Sequence, residues 1–138
     1  MDREEFIEKY IDVLQNLEAA IAEIYGEIPR MTDASVDRAL NALIRTYTAE
    51  MIGKPVTLMR LDPHEQRLYD RLKEVSDWRL GKGEGIKNEQ GELVVISPSG
   101  IKTTEEIVEC LNHVRRSVGF WSRKAGRQGY LKFISKYV

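Results

Sequence analysis

Side chains that could bind anions are concentrated at the carboxyl end of the chain. Between residues 113 and 138 the sequence has seven lysines and arginines, five aromatic residues and no aspartate or glutamate. Cations bind phosphates while aromatic rings stack on nucleic-acid bases, and the same composition also suits an anionic membrane surface. The candidate contact residues, for a protein partner or for nucleic acid, are Arg115, Arg116, Trp121, Arg123, Lys124, Arg127 and Tyr130.

The amino end offers an alternative role for this basic segment. Residues 2–27 carry eight acidic side chains and only two basic ones. If the basic segment packed against them, in the same chain or in a second copy, its aromatic residues would be core and its charges a solvated rim. The chain as a whole has 21 basic and 22 acidic residues, so the net charge alone favours no partner.

Two carboxylate clusters could hold a metal ion. Glu4-Glu5-x-x-Glu8 and Glu105-Glu106-x-x-Glu109 each place three carboxylates at spacings that could share Mg²⁺ with substrate phosphates. Both resemble the first half of the metal-binding signature of the all-α NTP pyrophosphohydrolases. The second half, Glu-x-x-Asp on the next helix, is missing after either cluster. We therefore do not assign the chain to that family, and a Mg-dependent nucleotide phosphohydrolase is the third functional hypothesis.

The remaining reactive residues are too scattered to form a site. Cys110 and His113 could face one way on a helix, but His64 is the chain's only other histidine, so no metal site is predicted. Gly81-Lys82-Gly83-Glu84-Gly85 follows a helix instead of a strand, so we interpret it as a helix terminator and linker. The sequence thus predicts no catalytic residues and no cofactor.

The first helix is expected to organise the fold. Apolar residues recur in it every seven positions, in two sets three residues apart, which is typical of a helix that packs lengthwise against others. The predicted seam, widened by Ile11 and Tyr25, consists of Ile7, Tyr10, Leu14, Leu17, Ile21, Ile24 and Ile28.

Capping signals divide the rest of the chain into further helices. The predicted starts are Thr32 or Asp33, then Asp62, then Thr103, and the predicted ends are Gly53 to Pro55, Gly81 and Gly126. A short fifth helix is predicted near Tyr130 to Tyr137. Residues 56–61 are predicted as an extended connector or a small edge strand, and residues 81–102 as a flexible Gly-rich loop or a small β-hairpin.

These elements predict an all-α fold in one domain, residues 1–138. It would be a helical bundle of four main helices plus the short C-terminal helix, with antiparallel neighbours among the first three because their loops are short. The charged first residues, the single Cys110 and the lack of any apolar run of roughly 18 residues predict a cytoplasmic location.

The leading functional hypothesis is a non-enzymatic helical interaction module. It would act through a protein partner or through itself, and a homo-oligomer is expected because the seam of the first helix could serve two surfaces. The alternative is a nucleic-acid-binding accessory protein that uses the basic, aromatic C-terminal third.

Overall fold

The computed structural model describes residues 2–56, 59–81, 86–87, 89–95 and 103–137. The all-α prediction is confirmed, because five α-helices and a closing 3-10 turn dominate these residues. The helices are Arg3–Glu27 (α1), Asp33–Ile52 (α2), Pro63–Arg79 (α3), Thr104–Ala125 (α4) and Gly129–Ile134 (α5), and the turn is Ser135–Tyr137.

Side-chain caps fix the starts of α2, α3 and α4, as the sequence predicts. The start of α5 has no side-chain cap. At the start of α3 the Glu65 backbone N–H donates to the Asp62 carboxylate at 3.0 Å, and the Asp62 N–H donates to the Glu65 carboxylate at 3.2 Å. The Thr103 hydroxyl accepts from the Glu106 N–H at 3.2 Å in α4. Each cap satisfies a donor that has no acceptor within its own helix.

One buried cluster draws residues from all five helices. In α1 the predicted seam is buried at Leu14, Leu17, Ile21 and Ile24. Ile11, predicted to widen that seam, is instead 41% exposed. The helical dihedrals are interrupted at the preceding residue, Tyr10 (φ −111°, ψ 16°), where α1 has a kink.

Helices α2 and α3 run in the same direction, so the prediction of antiparallel neighbours is wrong for this pair. Their contacts advance together, from Ser35 with His64 to Tyr47 with Asp77. The connector between them returns along α2, since the Arg38 guanidinium donates to the Arg60 carbonyl at 2.9 Å. Residues 53–62 can extend over about 33 Å, which is enough to cover the ~26 Å from the end of α2 back to Ser35.

Two short strands, Ile86–Lys87 and Leu93–Val95, pair antiparallel between α3 and α4, with a register shift after Ile86. Residues 82–85, 88 and 96–102 lie outside the described residues, as do residues 57 and 58 of the predicted connector. The overall form of segment 81–102 therefore stays a prediction. Of the helices given above, none combines the length and the apolar character that a bilayer span needs.

Candidate interaction surface on helix α4

The buried face of α4 determines which of its side chains point outward. Ile107, Leu111, Val114 and Val118 are buried at helical spacing, and Cys110 is buried beside them. The opposite face borders an open cleft of about 800 Å³ that extends from Glu109 to Arg123. Asp37 of α2 and the first residues of α1 form its other walls.

A kink in α1 brings the amino end of the chain to this cleft. The interruption at Tyr10 separates the first two turns of α1 from the rest, and the Tyr10 hydroxyl donates to the Glu106 carboxylate at 2.8 Å. The Phe6 ring then lies 5.4 Å from the His113 ring, and Asp2 and Arg3 line the cleft. No proline or glycine lies within this part of α1, so the sequence carries no signal for the kink.

The predicted contact residues differ in whether an ion pair neutralises their charge. Arg115 pairs with Asp37 at 3.0 Å, which occupies its guanidinium. The other four cations, Arg116, Arg123, Lys124 and Arg127, are exposed, and none has an ion pair with any residue that the structure describes. Lys124 also lies over two rings, 5.1 Å from the centre of Trp121 and 5.5 Å from that of Phe120.

The aromatic residues of the segment separate into exposed and buried rings. Phe120 is 45% exposed. Trp121 is half-buried and stacks on Phe133 at 4.7 Å and 14°. Tyr130, proposed from the sequence as a stacking ring, is fully buried because it shares the inward face of α5 with Ile134, four residues on. The ring of Tyr130 is therefore not available to a ligand on the surface.

Phe120 is an exposed residue of this surface that is not among the predicted contact residues. It lies two residues after buried Val118, so the period of α4 directs it away from the core. That signal is present in the sequence. Arg3 and Phe6 also reach the cleft, but they are more than a hundred residues away from α4 along the chain and depend on the kink.

Two acids near the end of α1 are matched by arginines of α3. Arg71 of α3 pairs with Glu23 at 2.8 Å, and Arg67 pairs with Glu27 at 3.0 Å. These pairs occupy the last two turns of α1. The exposed cations of α4 consequently have no ion pair with these two carboxylates.

His113 adds no charge to the cleft at neutral pH. Its pKa is lowered from the usual value by partial burial and by the nearby charges of Arg116 and Arg3. The imidazole packs on Phe6 and is expected to be neutral at pH 7.

The reactive residues noted in the sequence, Cys110 and the histidines, do not come together in one site of the described structure. Burial raises the pKa of the Cys110 thiol to about 12, so it stays protonated at neutral pH. In the described part of the chain, three potential metal ligands lie close together. The ligand atoms of Asp62, His64 and Glu65 all come within 4.8 Å of one another. There Asp62 and Glu65 form the cap of α3, and Arg38 pairs with Glu65 at 3.1 Å, so the cluster is accounted for by folding contacts.

No protein-family model matches the chain, and no curated protein or solved structure matches it significantly. The geometry of the surface is therefore the basis for any functional statement.

Proposed function

We propose that the chain is a non-enzymatic interaction module that binds an acidic protein segment. The contact surface, called here the basic surface, consists of Arg116, Phe120, Arg123, Lys124 and Arg127. The observation that carries the proposal is the set of four exposed cations without ion pairs in the described part of the chain, grouped around an exposed phenylalanine.

This composition suits a protein interface. Aromatic and arginine side chains are enriched at interface centres, where a ring excludes water and neighbouring charges select a complementary partner. Phe120 supplies the ring, and the cations on the same side of α4 supply the charge. Spacings of three or four residues place Arg116, Arg123 and Lys124 around Phe120 on one face of α4. Arg127 follows just after the end of this helix.

Nucleic acid is the alternative ligand for the same cations. Stacking on bases would have to rely on Phe120, since Tyr130 is buried and Trp121 is already stacked on Phe133. We therefore favour a protein partner, and nucleic acid is one outcome of the test.

Fluorescence anisotropy with two probes tests the proposal. One probe is a labelled glutamate-rich peptide with a central leucine, and the other is a labelled oligo-thymidine of similar charge. We expect the peptide to bind, and both Phe120→Ala and the double variant R123E/K124E to weaken it about tenfold or more. The matched control R45E/K54E, which reverses two exposed cations outside the cleft, should leave binding unchanged.

Two results would decide against this proposal. If the oligonucleotide binds and the peptide does not, with affinity falling steeply between roughly 50 and 200 mM salt, the surface serves nucleic acid. If neither probe binds, or if R45E/K54E weakens binding as much as R123E/K124E, the basic surface is not a contact site.

A further inference from the structure

The first turns of α1 carry a second charged patch, of opposite sign. Glu4, Glu5, Glu8 and Asp12 are exposed, and none has an ion pair with any residue in the described ranges. They differ in this respect from Glu23 and Glu27, which arginines of α3 neutralise. We call these four residues, together with Ile11, the acidic patch.

Each charged patch has one large apolar side chain at its centre. Ile11, between Glu8 and Asp12, is 41% exposed, and Phe120, between Arg116 and Arg123, is 45% exposed. Ile11 directly precedes Asp12 in the chain. Helical spacing places Phe120 beside Arg116, Arg123 and Lys124. Both patches thus have the apolar centre and charged rim that protein interfaces need, with charges that complement each other.

The amino end of α1, which precedes the acidic patch, reaches the cleft beside the basic surface. Asp2 and Arg3, directly before Glu4, line the same cleft as Arg116 and Arg123. The patches do not neutralise each other within one chain, since no ion pair joins them among the described residues. Because the two patches have opposite charges, a two-fold rotation can present each patch to the opposite patch of a second copy.

We infer that the acidic partner of the basic surface is a second copy of this chain. The acidic patch of each copy docks on the basic surface of the other, so the same contact forms twice in one closed dimer. This inference rests on the proposed function and specifies its partner.

A charge-swap experiment tests the dimer. The acid-reversed variant carries E4K, E5K and E8K, and the base-reversed variant carries R116E, R123E and K124E. We expect the wild-type chain to have twice its 15.9 kDa mass by size exclusion with light scattering, and each variant alone to be a monomer at the same concentration. An equimolar mixture of the two variants should restore the dimer mass, because both contacts then join opposite charges again.

Two controls keep the result interpretable. Circular dichroism should show the wild-type helix content in both variants, since every substituted side chain is exposed. If a triple variant loses helix, the single substitutions Glu8→Lys and Arg123→Glu replace it and should each weaken dimerisation about tenfold or more. Reversal of the exposed Arg45 and Glu50, outside both patches, should leave the dimer intact.

Each of three outcomes would overturn the inference. These are a wild-type chain that is monomeric across a dilution series, reversed variants that stay dimeric alone, and a mixture that stays monomeric. A monomer that still binds the glutamate-rich peptide would leave the proposed function standing with a different partner. Oligomers that grow with concentration would indicate head-to-tail contacts and would exclude the closed dimer.

Discussion

At the residue scale, Glu18 ties folding stability to pH. It lies on the core side of α1 and is 7% exposed, and one of its carboxylate oxygens has no hydrogen-bond partner. Burial raises its pKa to about 7, although the charge of Lys136 acts in the opposite direction. The folded chain therefore favours the protonated, neutral form of this side chain.

The sign of the pH dependence follows from this shift. The pKa of Glu18 is about 7 in the folded state against 4.5 for the unperturbed group, so the unfolded chain releases its proton first. Stability is fully present below about pH 4.5 and falls as pH rises through about 7, by a total on the order of 3 kcal/mol. We expect Glu18→Gln to remove this loss, so that it is more stable than wild type at about pH 8.5 and similar at about pH 4.5.

Urea unfolding at the two pH values measures this difference. Glu50→Gln is the matched control, because Glu50 is exposed on α2 and lies outside both charged patches. It should follow the wild-type profile. A wild-type chain whose unfolding free energy falls no more between the two pH values than that of Glu18→Gln would contradict the assignment.

At the element scale, Gly129 determines how closely α5 packs on the end of α4. A Cβ atom built at Gly129 would collide with the Trp121 carbonyl and would lie 2.8 Å from the Ala125 Cβ. This close approach brings Phe133 onto Trp121 and places Tyr130 in the core. Glycine is needed here for space, while its backbone φ is ordinary.

Substitution of Gly129 by alanine should therefore loosen α5. We expect an unfolding free energy lower by about 1 to 3 kcal/mol, as for other overpacked contacts, together with a change in Trp121 fluorescence. The control is Gly26→Ala near the end of α1, where nothing lies within 4 Å of the added Cβ and the helix gains about 0.5–1 kcal/mol. Equal effects at the two glycines would contradict the close contact.

At the scale of the whole molecule, the sequence predicts where the helices lie along the chain better than it predicts how they are oriented relative to one another. Caps such as Asp62 and Thr103 fix helix starts through local hydrogen bonds, so they can be recognised without tertiary structure. The buried stripe of α4 follows from helical period in the same way. Tyr10 is buried on the predicted seam, but neither the kink at Tyr10 nor the exposure of Ile11 has a signal in the local pattern.

The candidate surface shows the same difference between what the local sequence predicts and what tertiary contacts determine. The cations of α4 could be proposed from composition alone, and their exposure agrees with the helical period. The occupation of Arg115 by Asp37 and the burial of Tyr130 depend on how α2 and α5 pack on α4. Those arrangements are set by tertiary contacts that no local pattern encodes.

The parallel arrangement of α2 and α3 depends on the reach of their connector. His64 lies beside Ser35 near the start of α2, and Arg60 and Met59 lie beside Arg38 and Asn41, so the chain must travel back along the helix. Deletion of residues 55–58 would leave six connecting residues, which extend over about 20 Å and cannot cover the ~26 Å required. Insertion of four glycine and serine residues after Pro55 would lengthen a connector that is already sufficient.

The deletion should abolish the native packing of α3, because Leu68 and Leu72, both fully buried, could no longer reach the core in this orientation. We expect loss of cooperative thermal unfolding by circular dichroism, whereas the insertion should cost less than about 1 kcal/mol, since loop entropy rises slowly with length. Comparison of the two variants separates the effect of connector length from that of a changed connector sequence. Both variants alter the connector at the same place, but one shortens it and the other lengthens it. A deletion variant that unfolds cooperatively within a few degrees of wild type would show that α3 does not need the returning path, and the parallel arrangement would then be wrong.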